Sequence, residues 1–280
     1  MDAPVSGFTE GAARLHYLEW NRGARDCVVL VHGNSANAWW WVWVAEAMGA
    51  AAQRIVALDL RGHGDSDWVK PPNYSPLAYA DDIARLIRAL ELERPVVVGH
   101  SMGGVAALAF AMRFAKLARG LVAIDVAVTS TARRNRYLRH LKALPTVVYP
   151  DLATAIERFR LMPKEGEIAP EIMRAVAEHS LVRTANGGFT MKFDRESFFG
   201  SDGLDVASAI SQIEMPLLLV RAGHSRILTA EAAAAAVASN PRARLETIAD
   251  AHHHIPLERP AELAQVLKEF IETHPEASSG

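Results

Sequence analysis

The run Val98-Gly99-His100-Ser101-Met102-Gly103-Gly104 holds the residue best suited to covalent chemistry in this chain of 280 residues. Ser101 has glycine two positions away on either side, an apolar run before it and a small-residue helical stretch after it. That pattern fits a sharp strand-to-helix turn. Such a turn forces the serine backbone into a strained conformation, and the glycines remove Cβ atoms that would collide there. It lifts the hydroxyl above the sheet and aims the first N–H groups of the helix at the place where an oxyanion would form. The competing account is an ordinary glycine-rich turn with an incidental serine; the strand before it and the helix after it weigh against that.

A serine nucleophile needs a proton acceptor, and imidazole suits that work near neutral pH. His252, His253 and His254 stand together ahead of Pro256. A metal site built from all three is disfavoured, because consecutive side chains diverge and no carboxylate–histidine spacing supports it. A third group should orient the histidine and stabilise its charged form. Asp125 closes the apolar run Leu121-Val122-Ala123-Ile124 and is the candidate acid, whereas Asp250 reads as a loop residue. A serine–histidine dyad without an acid is the alternative.

The elements that must position these groups are read from periodicity. Short apolar runs at Cys27 to Val31, Arg54 to Leu58, Pro95 to Val98, Gly120 to Ile124 and Pro216 to Val220 are near-continuous, as in strands covered on both faces. A weaker run, Ala243 to Ile248, alternates and belongs nearer an edge. Helical stretches fall between them: Ser75-Pro76 offers a cap and an N1 proline, Thr229 caps an alanine-rich helix, and Pro260 opens a helix with Leu263, Val266, Leu267, Phe270 and Ile271 on one face. Alternating strands and helices predict a parallel sheet with helices on both faces. The rhythm breaks between about 128 and 212, a polar and helical stretch containing the turn signal Asn186-Gly187-Gly188. Residues 275 to 280 read as a disordered tail.

In this order the residues resemble the α/β-hydrolase superfamily, in the serine-nucleophile branch with a cap after strand six. Beyond the serine turn, the likeness rests on three segments. His32-Gly33-Asn34 is similar to the family's oxyanion element, Asp59-Leu60-Arg61-Gly62-His63-Gly64-Asp65-Ser66 to its turn after strand four, and His252 through Pro260 to its catalytic-histidine loop. The resemblance runs from about Gly7 to Pro260. It implies an α/β-hydrolase fold: a mostly parallel sheet flanked by helices, with a core of residues 1–128 and 212–280 and a helical cap of residues 129–211. It also implies oxyanion donors at the backbone N–H groups of Asn34 and Met102, selects His253 as the base by its distance from Pro256, and offers precedent for an acid at Asp125. Two departures stand out. His252 occupies a position where glycine is usual, and no carboxylate follows the strand at Pro216 to Val220, where His224 or Ser225 takes the usual place of the acid.

The substrate pocket is expected to involve His32, His100 and Trp39, with Phe198 and Phe199 adding apolar surface and His63 a further candidate. Core packing is the simpler account of Trp39 and Trp43, which share a helical face. Arg133, Arg134, Arg136, Arg139, His140 and Lys142 form a basic cluster that could anchor a substrate carboxylate; a solvated face opposite Tyr137, Leu138, Leu141 and Leu144 is the plainer reading.

Bulk properties narrow the classes. With 30 Lys and Arg against 32 Asp and Glu, the formal net charge of -2 argues against a nucleic-acid or anionic-membrane partner. Cys27 is the only cysteine and cannot form an intrachain disulfide. No signal-peptide pattern opens the chain, and no apolar stretch reaches the roughly 18 to 20 residues that span a bilayer. The expectation is a cytoplasmic enzyme that needs no cofactor or metal and acts on a small molecule, with the oligomeric state left open. Its reaction would be cleavage of a carboxylic ester, lactone or related acyl bond through an acyl-serine. Hydrolysis of a C–C bond in a ring-fission diketone, or a cofactor-free oxygenase or ligand receptor on the same fold, are the alternatives.

Overall fold

The computed structural model describes residues 3–11, 13–49, 53–129, 131–198 and 204–275, so Phe199 and all of the expected tail at 275–280 except Pro275 lie outside the described residues. In chain order the strands are β1 (Val5–Thr9), β2 (Leu15–Trp20), β3 (Cys27–Val31), β4 (Arg54–Leu58), β5 (Val96–His100), β6 (Gly120–Ile124), a small hairpin of β7 (Leu181–Arg183) and β8 (Phe189–Met191), then β9 (Leu217–Ala222) and β10 (Ala243–Ile248). Eight of them form one sheet in the order β1-β2-β4-β3-β5-β6-β9-β10. From β4 to β10 every neighbouring pair is parallel, while β2 runs antiparallel to both β1 and β4. The weak alternating run is β10, at the edge. β1 and β2 went unread in the sequence because β2 buries polar residues: His16 is held by Asp59 and Glu19 by Arg22 and Arg54. Asp59 and Arg54 come from elsewhere in the chain, so the local pattern looks mixed.

Burial on both faces explains the apolar runs. Along β3, Cys27, Val29 and Val31 enter one core cluster and Val28 and Leu30 the other. The first cluster packs beneath α2 (Pro76–Ala89) and α3 (Met102–Phe114), the second beneath α1 (Val42–Met48) and α9 (Pro260–Thr273). Ser75 caps α2 by accepting from the Ala78 N–H, with Pro76 in the first turn. Thr229 does the same for α8 (Ala230–Ala238). None of the helices in the described residues is long and apolar enough to cross a membrane.

Between β6 and β9 the strand rhythm is interrupted, as the sequence suggests, by α4 (Ala132–Ala143), α5 (Leu152–Arg158), α6 (Pro170–His179) and the β7–β8 hairpin. The segment is therefore not purely helical: Asn186-Gly187-Gly188 turns a hairpin, with Thr184 N–H donating to the Gly188 carbonyl. The segment meets the loops at the strand ends. Gly64 N–H donates to the Lys192 carbonyl, Asp194 N–H to the Gly62 carbonyl, and Asn37 Nδ2 to Ser180 Oγ. α7 (Val206–Gln212), which the expected boundary at 211 assigns to a cap, instead buries Val206, Ala209 and Ile210 in the sheet's core cluster. That helix packs with α3 because its apolar residues recur at i, i+3 and i+4.

His63 sits where the inserted segment meets the sheet, fully buried, with Nε2 3.3 Å from Ser197 Oγ. Burial, reinforced by nearby His32, pushes its pKa from 6.5 down to about 3. Between those two values the unfolded chain binds a proton that the folded chain does not. Stability is thus complete above about pH 6.5 and falls as the pH drops from there towards about 3. His254, held down to about 4 by burial with His253 contributing, acts in the same direction. Urea unfolding at a series of pH values is expected to show the unfolding free energy dropping by up to about 1.4 kcal/mol per unit for each such histidine. His63→Asn is expected to remove one histidine's share of that slope.

Candidate active site

The serine turn exists because a strand and a helix meet without a spacer. Ser101 directly follows β5 and caps α3 with φ 53° and ψ −116°, a left-handed conformation that costs a non-glycine residue about 1–3 kcal/mol. Hydrogen bonds on both sides hold it: Ser101 N–H donates to the Ile124 carbonyl at 2.8 Å, and its own carbonyl accepts from Gly104 and Val105. A Cβ at Gly103 would meet the carbonyl oxygens of Val31 and His32, and one at Gly99 the Gly103 carbonyl. Those atoms are backbone and cannot step aside. Gly103→Ala is expected to lower the unfolding free energy by about 1–3 kcal/mol or more, measurable by urea unfolding.

Three side chains from distant segments line up here. His253 Nε2 lies 3.0 Å from Ser101 Oγ, and His253 Nδ1 lies 2.7 Å from Asp125 Oδ2. Both His253 and Asp125 are buried. Asp125 also has a positive φ, 47°, directly after β6, and its N–H is held by the Val220 carbonyl at 2.8 Å. Its Oδ1 accepts from the Ala222 N–H at 3.2 Å and its Oδ2 from Ser225 Oγ at 2.7 Å. Ser225 Oγ in turn accepts from the N–H groups of Ile227 and Leu228, which leaves its proton directed at Asp125. A serine thus stands where a carboxylate is usual and hydrogen-bonds to the carboxylate supplied by the neighbouring strand. Ser225→Ala is expected to lower kcat about tenfold with little change in KM, because it removes a charge-assisted hydrogen bond without emptying the site. Steady-state kinetics on a chromogenic ester would measure it.

The three consecutive histidines do three different things. His252 Nδ1 faces Glu258 Oε2 at 3.2 Å, His253 reaches Ser101, and His254 Nε2 donates to the Pro163 carbonyl at 2.9 Å. Glu258, which nothing in the sequence singled out, is buried and accepts from the N–H groups of both His252 and His254 at 2.8 and 3.0 Å. His100 Nε2 donates to the His253 carbonyl at 2.8 Å. The backbone of His253 is therefore clamped from both sides. No local signal marks Glu258, because an acid just past the histidines reads as a surface residue until the fold buries it.

Of the expected pocket residues among the described ones, Phe198 lines the cavities next to Ser101 and the others fall elsewhere. A cavity of about 130 Å³ is lined by Ser101, His253, Asn34, Met102, Arg134 and Phe198, among others. A second of about 260 Å³ adjoins it through Asn34, Ser35, Leu141, Met162 and Phe198, and adds Trp40 and Phe193. His32, His100, His63 and Trp39 line neither. His32 is buried, donates from Nδ1 to the Gly33 carbonyl and accepts the Leu60 N–H on Nε2; burial keeps it below the usual histidine value. It shapes the loop that carries Asn34. His100 is also buried and held well below the usual value, chiefly by burial. The Trp39 ring stacks on His179 of α6 at 3.4 Å between centroids, a packing contact with the inserted segment. Trp40, one residue on, faces the cavity because Ala38–Trp41 form a tight 3-10 turn before α1 begins.

Asn34 and Met102 each present an N–H that donates to no acceptor among the described residues. Met102 opens α3, where no carbonyl lies one turn back to accept it. Both residues line the cavity that holds Ser101.

A second Ser–His–Asp chain has nearly the same distances. Ser6 Oγ lies 2.9 Å from His16 Nε2, and His16 Nδ1 lies 2.7 Å from Asp59 Oδ2. Ser6 is on strand β1, with no helix behind it, no strained turn and no part in either cavity. Asp59 also accepts from the N–H groups of Ala38 and Asp65, so it ties the Asn34 loop to the glycine turn. Side-chain connectivity alone does not separate the two chains; the turn, the free donors and the cavity do. His16, Asp59 and Asp65 are also the one group among the described residues spaced to hold a cation, and the first two already satisfy each other.

The model of the alpha/beta hydrolase family matches residues 28–266. An esterase of Mycobacterium tuberculosis is 24% identical over 268 residues, covering 94% of this chain and 88% of the relative. The 2-(acetamidomethylene)succinate hydrolase of Mesorhizobium japonicum is 27% identical over 236 residues, 78% of each chain. Among solved structures, an E-2-(acetamidomethylene)succinate hydrolase superposes with a TM-score of 0.84 at 24% identity, covering 96% of this chain and 99% of the other.

Proposed function

The chain belongs to the alpha/beta hydrolase family, and from that premise we propose that it is a serine hydrolase cleaving a carboxylic ester, lactone or related acyl bond of a small molecule. The observation that carries this reading is the hydrogen-bonded chain from Ser101 through His253 to Asp125, ending at a cavity with two unpaired backbone donors. Ser101 Oγ attacks the acyl carbon while His253 Nε2 takes its proton. The oxygen that becomes negative accepts from the Asn34 and Met102 N–H groups, aided by the positive end of α3. Asp125 holds the Nδ1 proton of His253 and steadies the imidazolium. His253 then returns the proton to the leaving group, and water repeats the sequence to free Ser101. In this reading residues from α4 through the β7–β8 hairpin are the cap that closes the cavity. The test is labelling by a fluorophosphonate, with the modified peptide identified by mass spectrometry, beside turnover of 4-nitrophenyl esters. Label on Ser101, absent from Ser101→Ala, is expected; a folded protein that neither labels at Ser101 nor turns over any ester would instead be a receptor or an oxygenase on this fold.

A further inference from the structure

The charge lining the two cavities is one-sided. Arg134 lines the cavity that holds Ser101, and Arg158, Arg160 and Arg195 line the adjoining one. No aspartate or glutamate is among the described residues that line either. Three cations nearby have carboxylate partners: Lys142 pairs with Glu196, Lys192 with Asp65 and Arg226 with Glu165. Arg134 and Arg195 have no ion pair among the described residues. Arg195 donates to the Leu141 carbonyl, and its Nε is buried with no acceptor. Burial pushes both guanidinium groups below the usual arginine value, with no carboxylate to raise them again.

The placement of Arg134 follows from helix periodicity. Arg134, Tyr137, Leu138 and Leu141 recur at i, i+3, i+4 and i+7 along α4, and all four line the Ser101 cavity. Arg133, Arg136, Arg139 and His140 point away and are exposed. One arginine of the basic cluster therefore sits on the apolar face. Withdrawing a guanidinium from water without a counter-charge is costly, and the cost is recovered when a planar anion fills its fork.

On the serine-hydrolase reading above, we propose that the natural substrate carries a carboxylate besides the bond it loses, and that Arg134 receives that carboxylate within the Ser101 cavity. The apolar walls, Trp40, Phe193 and Phe198, take the uncharged remainder. Arg195 faces the adjoining cavity and is placed to meet a second anionic group or a longer chain.

The experiment compares matched esters on the purified full-length protein. Mono-4-nitrophenyl adipate and suberate are set against 4-nitrophenyl hexanoate and octanoate, which place a carboxylate or a methyl at the end of the acyl chain. 4-Acetoxybenzoate is set against 4-methylphenyl acetate, which does the same on the leaving group. Wild-type protein is expected to prefer the carboxylate member of at least one pair by about tenfold or more in kcat/KM, mostly through KM. Arg134→Met is expected to bring that ratio near one, Arg134→Lys to restore part of it, and the exposed Arg133→Met to leave it unchanged. Circular dichroism and Ser101 labelling establish that each variant is folded. Hydrolysis of the neutral esters with no gain for any carboxylate partner overturns the carboxylate proposal alone, as does a preference that survives Arg134→Met. Failure of every ester together with failure to label Ser101 overturns the hydrolase reading itself.

Discussion

Ser101→Ala is expected to lower kcat by roughly four to six orders of magnitude while the protein remains folded. The size follows from what the hydroxyl does in the proposed reaction. Without Oγ no acyl-enzyme forms, and His253 is left to activate water in a space shaped for a covalent nucleophile. The Asn34 and Met102 N–H groups and the cavity remain, so a residual rate above that in water is expected. The substitution exchanges one side chain for another at the same positive φ, so backbone strain is nearly unchanged. Ser101→Ala combined with His253→Ala is expected to cost little more than either alone, because the two act as one unit. Single-turnover kinetics on a 4-nitrophenyl ester, with urea unfolding alongside, would decide it. A folded Ser101→Ala protein within tenfold of wild type would sink the nucleophile assignment.

Asp125→Asn is expected to lower kcat by roughly four orders of magnitude, and the local network explains why an amide is a poor substitute here. In the native site Oδ2 accepts from both His253 Nδ1 and Ser225 Oγ, and Oδ1 accepts from the Ala222 N–H. An asparagine can orient its amide in two ways. With NH₂ on the Oδ1 side it opposes the Ala222 N–H, donor against donor. With NH₂ on the Oδ2 side it donates to His253 Nδ1 and places the imidazole proton on Nε2, facing Ser101. The second arrangement avoids the Ala222 clash at the cost of the Ser225 hydroxyl's acceptor, and it leaves the histidine unable to take the serine proton. Partial rescue by Ser225→Ala is not expected, since the tautomer and not the hydroxyl is at fault. Near-normal activity in a folded Asp125→Asn protein would show that the acid has been misassigned.

Much of the site was legible because its parts are local. The spacing of Gly99, Ser101 and Gly103 encodes a turn that only small residues allow, and the structure shows why: a Cβ at Gly103 would enter the backbone of β3 and its exit. The apolar strand runs and the Ser75 and Thr229 caps are likewise properties of a few consecutive residues. Roles that depend on a partner far along the chain were harder to read. Ser225 braces Asp125 from 100 residues along the chain, and Glu258, although only four and six residues from the N–H groups it holds, meets them only through the fold of the His253 loop. Neither carries a local pattern that distinguishes it from a surface residue. Trp39 and Trp40 were not separable either, because a short 3-10 turn and not an α-helix carries them, and one residue of rotation exchanges the packing contact for the cavity wall.

By itself the sequence determined the alternation of strand and helix, the strained serine turn and the histidine cluster, because backbone sterics and hydrophobic periodicity act between near neighbours. Tertiary structure alone decided which carboxylate meets His253, which of two Ser–His–Asp chains opens on a cavity, and which arginine of α4 faces inward. Those outcomes depend on strand order, which sets β6 between β5 and β9 and so brings residues 101, 125 and 253 within hydrogen-bond reach. Hydrogen bonding acts over about 3 Å, and no spacing along the chain encodes a separation that small between segments more than a hundred residues apart.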